Sequence, residues 1–293
     1  MMKTLDNDSM SNEACVLDAI EQFIRDKRIS LQHKEDLARQ INAGLKLHGR
    51  SWLPLYELFE PMRLLPTDAK CNGVKRDSFY GVSKIAIGRI DLYMPVMKRL
   101  AMGCKKESKE DIDFAKNEYG ESDAWNQLRN FFNNLQKADM VSVSSNNSEV
   151  LSVCPNPKHL PFFDGGWAED GMVYLIEKTI KSFSAKQGLP SHVFWNVKLS
   201  DNPPWNLTRF EFDVIAKIGK MFYVFEVKTG ALLSIDKWFE RWSIFKDVGA
   251  RYIQCTTKEV DHKLFVPLPL FPIEHFETLL EQRLEKDIEM MSN

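Results

Sequence analysis

The chain has 293 residues, 44% of them hydrophobic, which is material for one large domain or two ordinary ones. Its 39 basic and 41 acidic residues leave a net charge of −2 and a pI near 6.3, which excludes a global basic field of the kind that advertises nucleic acid. Five scattered cysteines without a CxxC pair exclude a disulfide framework and a structural zinc. No apolar run approaches the roughly 18 residues of a membrane span and no signal-peptide core is present, so a cytoplasmic protein is expected.

Residues 1–69 read as a helical N-terminal region. The first ten residues are polar, and from Ser11 onward Val16, Leu17, Ile20, Phe23 and Ile24 fall on one helical face. Ser30 can cap a second helix with Leu37, Ala38, Ile41 and Leu45 inward, closed by Gly49. SWLPLYELFEPM predicts a short buried helix that stops at Pro61. Nothing in this region asks for chemistry.

Residues 70–153 are expected to form a basic, winged-helix-like domain. Between 70 and 106, nine Lys or Arg stand against two Asp, interleaved with Phe79, Tyr80 and Tyr93. Basic residues with aromatics among them are the usual footprint of phosphate contact and base stacking. Lys75, Arg76, Lys84, Arg89, Lys98 and Arg99 are the candidate contacts, and the plain alternative is solvated helix faces over Ile87, Ile90 and Leu100. Seven acidic residues between 107 and 123 read as surface that balances this run. WNQLRNFFNNLQK then predicts a helix with Leu128, Phe131, Phe132 and Leu135 inward, followed by a hairpin in DMVSVSSNNSEVLSV. Helix then hairpin is the tail of a winged helix, but the hairpin tip at 144–147 is not basic, which favours a structural or dimerising role over base reading.

The Pro-broken stretch CPNPKHLPFF marks a boundary, and residues 160–293 read as a third unit. DGGWAEDGMVYLIEKTI opens on a Gly-Gly turn and becomes a helix with Val173, Ile176 and Ile180 inward and Glu169 in its first turn. Glu177, two turns on, reads as packing or as a partner for Lys181. HVFWNVKL is a strand and SDNPPWN a turn. TRFEFDVIAKIGKMFYVFEVKTG, at 208–230, reads as two strands joined by a type II′ turn at Gly219-Lys220. Partners then have numbers summing to 439, so Asp213 faces Glu226 and Glu211 faces Lys228.

Directly opposed Cβ atoms lie only about 4.5–5.5 Å apart, and opposed like charges destabilise a sheet. Two carboxylates so placed suit a hard divalent cation, Mg²⁺ or Mn²⁺. Lys228 would steady an attacking water or the charge that develops on phosphorus. The plain alternative is a pair of polar faces with a Glu211–Lys228 bridge. IDKWFERWSIFKDVGA is a helix closed by Gly249, RYIQCTT a short buried strand, and the order α-β-β-β-α-β results. After Pro267 and Pro269 a last helix places Ile273, Phe276, Leu280, Leu284 and Ile288 on one stripe.

Gly165-Gly166-Trp167-Ala168-Glu169, Glu211-Phe212-Asp213 and Glu226-Val227-Lys228-Thr229, in that order, resemble the PD-(D/E)xK nuclease superfamily. More closely they are similar to the nuclease domain of CRISPR-associated endonucleases that carry a CARF sensor domain. The resemblance covers about residues 160–257. It implies a restriction-endonuclease-like α/β domain that cuts phosphodiester bonds with a bound metal, DNA favoured over RNA, in anti-phage defence or a mobile-element system. By the same resemblance Asp213, Glu226 and the Val227 carbonyl hold the cation, and Glu169 completes the site through water or at a second metal. Lys228 positions the water and Glu211 orients Lys228. In such nucleases the later helix often brings a polar or basic residue to the site; here Lys246 is the first candidate and Arg241 the second.

A homodimer is expected. The resembled endonucleases begin with a Rossmann-like CARF domain, whereas residues 1–150 predict helices and one hairpin, so cyclic oligoadenylate is not expected to bind this chain. Two other readings stay open: a transposase endonuclease subunit, and a non-catalytic nucleic-acid-binding or assembly protein. Six dispersed histidines without HExxH, and the lack of GxSxG, GxGxxG and GxxxxGK[ST], give no support to zinc, serine-hydrolase, dinucleotide or P-loop chemistry.

Overall fold

A computed structural model describes residues 30–62, 64–71, 79–106, 110–120, 122–200, 209–229, 235–246, 248–257 and 270–292. The first expected helix, Lys75, Arg76, most of the SDNPPWN turn, Pro267 and Pro269 lie outside the described residues. The fold is mixed α/β. From the N-terminus run α1 (Leu31–His48), α2 (Leu53–Phe59), β1 (Leu65–Cys71), α3 (Tyr80–Gly88), α4 (Ile90–Lys105) and β2 (Ile112–Ala115). Next come α5 (Ser122–Lys137), β3 (Val141–Asn146), β4 (Val150–Pro155), α6 (Trp167–Gln187) and β5 (Ser191–Ser200). The chain ends with β6 (Phe210–Ile218), β7 (Met221–Lys228), α7 (Ile235–Lys246), β8 (Arg251–Thr256), β9 (Leu270–Pro272) and α8 (Phe276–Ser292).

By its contacts the chain divides into two compact units whose segments alternate along the sequence. One comprises residues 1–74, 180–226 and 233–253; the other comprises 75–179, 227–232 and 254–293. The physical reason is strand pairing at long range. β1 pairs antiparallel with β5, Leu65 opposite Ser200 and Cys71 opposite Phe194, which ties the N-terminal segment to a sheet that starts some 120 residues later.

In the first unit the strands stand in the order β1-β5-β6-β7-β8. β1 corrects the expectation of an all-helical start. LPTDAKC carries Pro66 and alternates only weakly, as an edge strand can, so its signal is small until its partner is known. The β6–β7 hairpin has the predicted register, from Ile218↔Met221 to Val214↔Phe225. Gly219 has φ +55, and Lys220 is not among the positive-φ residues, as a type II′ turn requires. α1 and α2 approach closely because Gly44 has no side chain: a Cβ there would stand 1.9 Å from the Tyr56 hydroxyl. α2 sends Glu57 to Lys217 on β6 and Phe59 to Phe212, ring centroids 6.4 Å apart.

In the second unit α5 is followed by the β3–β4 hairpin, as expected, and β2 adds a third strand to give the order β2-β4-β3. β2 is only four residues beside an acidic run, too short to announce itself. Tyr93, Phe131, Phe132 and Phe114 fill this core, with Tyr93–Phe131 centroids 4.3 Å apart and Phe114–Phe132 4.8 Å. In α8 the inward stripe ends on Asp287, 1% exposed and bonded by Arg283 Nε at 2.9 Å, while the expected Ile288 is only half-buried. The end of β8 pairs in parallel with β9, a strand the sequence did not suggest.

Glu60, in the 3-10 turn after α2, is 6% exposed, and burial pushes its pKa up from 4.5 to about 7. The unfolded chain releases this proton from about pH 4.5, while the folded chain keeps it until about pH 7. Stability therefore falls as pH rises through that window and levels off above it. At about 1.4 kcal/mol per pH unit the loss is roughly 3 kcal/mol. Glu60→Gln should flatten this slope by about that amount, measured by urea unfolding at a series of pH values.

Candidate active site

The site grows from the open end of the β6–β7 hairpin. The paired register ends at Val214↔Phe225, and one step further come Asp213, half-buried, and Glu226, 3% exposed. Toward β5 the ladder runs Trp195↔Val214 and then Val197↔Phe212, stepping over Asn196 and Asp213. Asn196 has φ +51, a left-handed conformation that Asn tolerates better than most residues and that is rare inside a strand. Asp213 thus lies where both flanking ladders loosen, the kind of distortion that re-aims a side chain.

Helix α7 supplies the balancing charge. Phe245 is fully buried, packing edge-on to Phe212 at 5.1 Å and stacked on Tyr252 at 6.1 Å. Arg241 lies one turn earlier, on the same helix face. Its Nη1 donates to Glu226 Oε2 at 2.9 Å and to the Glu211 carbonyl at 3.0 Å, and its guanidinium lies 5.5 Å from the Phe212 ring centre. A nearly sheathed carboxylate needs such a partner, because an unpaired buried charge is strongly destabilising.

Tyr252 on β8 reports the convergence of these groups. Burial pushes its hydroxyl pKa far up, the Glu226 and Asp213 charges add to the push, and Arg241 offsets it. Asp213 and Glu226 each stand one residue past the Val214–Phe225 pair, and strand alternation puts them on the same face of the hairpin. Two carboxylates make an all-oxygen donor pair, the kind Mg²⁺ accepts while keeping several waters. Among the described residues no three His, Cys, Asp or Glu side chains gather as a metal cluster. A cation here would be held by the Asp213–Glu226 pair and water.

The structure treats the other predicted site residues differently. Lys228 ends β7 two residues after Glu226, and strand alternation puts it on the same face. Glu211 is exposed and pairs in register with Lys198 on β5. Lys246 is exposed, and it is Arg241 that reaches the carboxylate, because Arg241 shares a face with the buried Phe245 and Lys246 does not. Glu169 stands exposed in the first turn of α6 in the second unit, with Lys228, whereas Asp213 and Glu226 belong to the first. The Gly165-Gly166 start of α6 comes close to the end of β7: a Cβ on Gly165, φ +154, would stand 3.1 Å from Thr229 Oγ1. Two of the four motif residues are thus brought together within one unit, and the other two lie within the second.

The basic stretch is largely spent on internal partners. Arg89 pairs with Asp91 and Gln127, and Arg99 with Glu118 while covering the Phe114 ring at 4.2 Å. Lys105 pairs with Asp164, Lys106 with Glu110, and Lys84 lies over Tyr174 at 4.5 Å. Tyr93 is 3% exposed, while Phe79 packs on His159 and Phe162 and Tyr80 on Tyr174. Exposed pairs contribute only about 0–1 kcal/mol each, but they do cancel the local field. Among the described residues of this stretch most cations thus have an acidic or aromatic partner, and the aromatics pack on other rings. Asn196, Tyr252 and the first place of Arg241 were missed from sequence; the one available signal was a lone Asn inside the apolar run HVFWNVKL.

No protein-family model matches the chain, and no curated protein matches it. Among solved structures it is similar to protein VC1899 from Vibrio cholerae, with TM-score 0.49 and 16% identity over 78% of this chain and 60% of that one. It is similar also to Can2 from Sulfobacillus thermosulfidooxidans, solved in complex with cyclic tetra-adenylate, with TM-score 0.49 and 11% identity over 77% of this chain and 59% of that one. The chain spans about 60% of the length of each.

Arg241→Ala should lower stability by about 3 kcal/mol, since it leaves Glu226 sheathed without its partner. Adding Glu226→Gln should recover part of that loss, as a double-mutant cycle in urea would read.

Proposed function

We propose that the chain is a metal-dependent endonuclease that hydrolyses phosphodiester bonds of nucleic acid, built on the PD-(D/E)xK plan. The observation that carries the proposal is the acid pair Asp213 and Glu226, each one residue past the Val214–Phe225 pair of the hairpin, with Lys228 two residues further along the same strand. The order α6-β5-β6-β7-α7-β8 fits that plan. Asp213, Glu226 and the Val227 carbonyl would hold Mg²⁺ or Mn²⁺. Such an ion polarises a phosphate oxygen and lowers the pKa of a bound water.

The remaining work belongs to the chain's own groups. Lys228 orients the attacking water and offsets negative charge as it builds on the phosphate oxygens. Arg241 holds Glu226 aligned through its hydrogen bond, and its guanidinium is a second donor for phosphate. Glu169 is assigned an outer role through water. In the second unit, the succession α4-β2-α5-β3-β4 with β2 on the outer side of β4 fits a winged helix, which suits pairing of two copies or a seat on duplex DNA. That pairing of modules keeps a transposase endonuclease subunit as a variant of the same chemistry, and a defence or mobile-element setting is the one we assign.

The alternative reading, a non-catalytic nucleic-acid-binding protein, draws on one observation: Arg241 already neutralises Glu226. Incubation with plasmid, single-stranded DNA and RNA in Mn²⁺ or in EDTA separates the two. Cleavage in Mn²⁺ alone is expected. Asp213→Ala and Lys228→Ala should each lower the rate by about 10²-fold or more with the circular dichroism spectrum unchanged. Undiminished cleavage by both variants would remove the assignment, and a gel shift without cleavage would favour the binder.

A further inference from the structure

Helix α4 carries a row of side chains that, with the start of α6, encloses a cavity of about 320 Å³ in the second unit. Its walls are apolar, built by Met102, Phe163 and Trp167 among others. At that volume it lies at the low end of the roughly 300–1,000 Å³ of small-molecule pockets, room for one compact group and not for an extended peptide. Two lysines, Lys98 and Lys105, also line it. Lys105 is held by both oxygens of Asp164, at 3.0 and 2.9 Å. Lys98 is exposed, and no carboxylate among the described residues pairs with it.

The last wall residue is Thr229, which directly follows Lys228 in the chain, about 3.8 Å away between Cα atoms. Gly165 leaves the Thr229 hydroxyl its space. An apolar slot, an available ammonium and the proposed catalytic lysine thus adjoin one another. That combination matches a nucleotide: a base has apolar faces that pack on aromatic and thioether groups, and its phosphate takes the cation. Base–aromatic contact contributes roughly 1–3 kcal/mol per base. A paired base is stacked inside its duplex and cannot enter such a slot, whereas an unpaired one can.

We infer that this cavity receives one unpaired base of a nucleic-acid strand, with Lys98 on an adjoining phosphate, so that the substrate is single-stranded. The inference rests on the reading above only in taking nucleic acid as the ligand. Lys70 and Lys98 are the described members of the basic stretch with no ion-pair or ring partner assigned, and of these two only Lys98 lines the cavity.

The test uses the full chain in EDTA, so that no cutting intervenes, with oligonucleotides carrying the fluorescent base 2-aminopurine. Single-stranded DNA, single-stranded RNA and duplex DNA are the three arms. Binding should change the 2-aminopurine emission for at least one of the single strands and should be at least tenfold weaker for the duplex. Lys98→Glu and Met102→Glu, both at exposed positions, should each weaken single-strand binding at least tenfold, while Lys98→Arg retains it. Lys106→Glu, one helix position outside the cavity, should change it less than about threefold. Equal affinity for duplex and single strand, or unchanged binding by both Lys98→Glu and Met102→Glu, overturns the inference. Metal-dependent cleavage combined with that negative result would leave the nuclease standing without this pocket. Single-strand binding through the pocket in a chain that never cleaves would do the opposite.

Discussion

The register of the β6–β7 hairpin is the constraint on which the rest depends. Strand side chains alternate with a period of two, so a slip of one residue would move every side chain of β7 to the other face. Gly219 prevents that slip: its φ of +55 closes a two-residue turn that fixes Ile218 opposite Met221 and each later pair in step. Both strands are buried along most of their length, so they read as dense apolar runs in which Glu226 is the discordant residue. An acid held in that run is tolerated only with a counter-charge, and α7 provides it.

Arg241 reaches Glu226 because α7 is anchored by Phe245 one turn away, in a cluster with Phe59, Phe212 and Tyr252. The aromatic floor therefore sets the position of the guanidinium, and the guanidinium gives the buried carboxylate its counter-charge. Asn196 adds a second local departure, a left-handed residue beside Asp213 where the β5–β6 ladder skips a step. Backbone strain of this kind costs about 1–3 kcal/mol and persists where the surroundings over-determine it. Its coincidence with the acidic pair fits a site whose geometry matters more than its contribution to folding.

The basic run at 70–106 teaches a contrary lesson. Composition alone made it a surface for phosphate, yet most of its described cations are matched by nearby acids or rings, and its aromatics pack on rings elsewhere in the chain. Charge clustering in sequence does not reveal which neighbours a fold will bring. Here the acidic run that follows, with Glu110 and Glu118, folds back as a set of counter-ions. What survives for a ligand is local: one lysine at the mouth of a small apolar cavity.

By itself the sequence determined the elements that local chemistry controls. The two-residue turn at Gly219-Lys220, the hairpin register, the helix opening after Gly165-Gly166 and the order α-β-β-β-α-β all follow from residue type and periodicity over short spans. It also singled out Asp213 and Glu226, because a pair of acids in an apolar hairpin breaks the pattern around it. Only the tertiary structure decided that β1 joins the sheet, that Arg241 and not Lys246 meets the carboxylate, and that Asn196 turns left-handed where the ladder to β6 skips a step. Those outcomes depend on which distant surfaces pack together, and β1's weak alternation or a helix's two candidate cations carry no mark of a partner more than a hundred residues or a whole layer away.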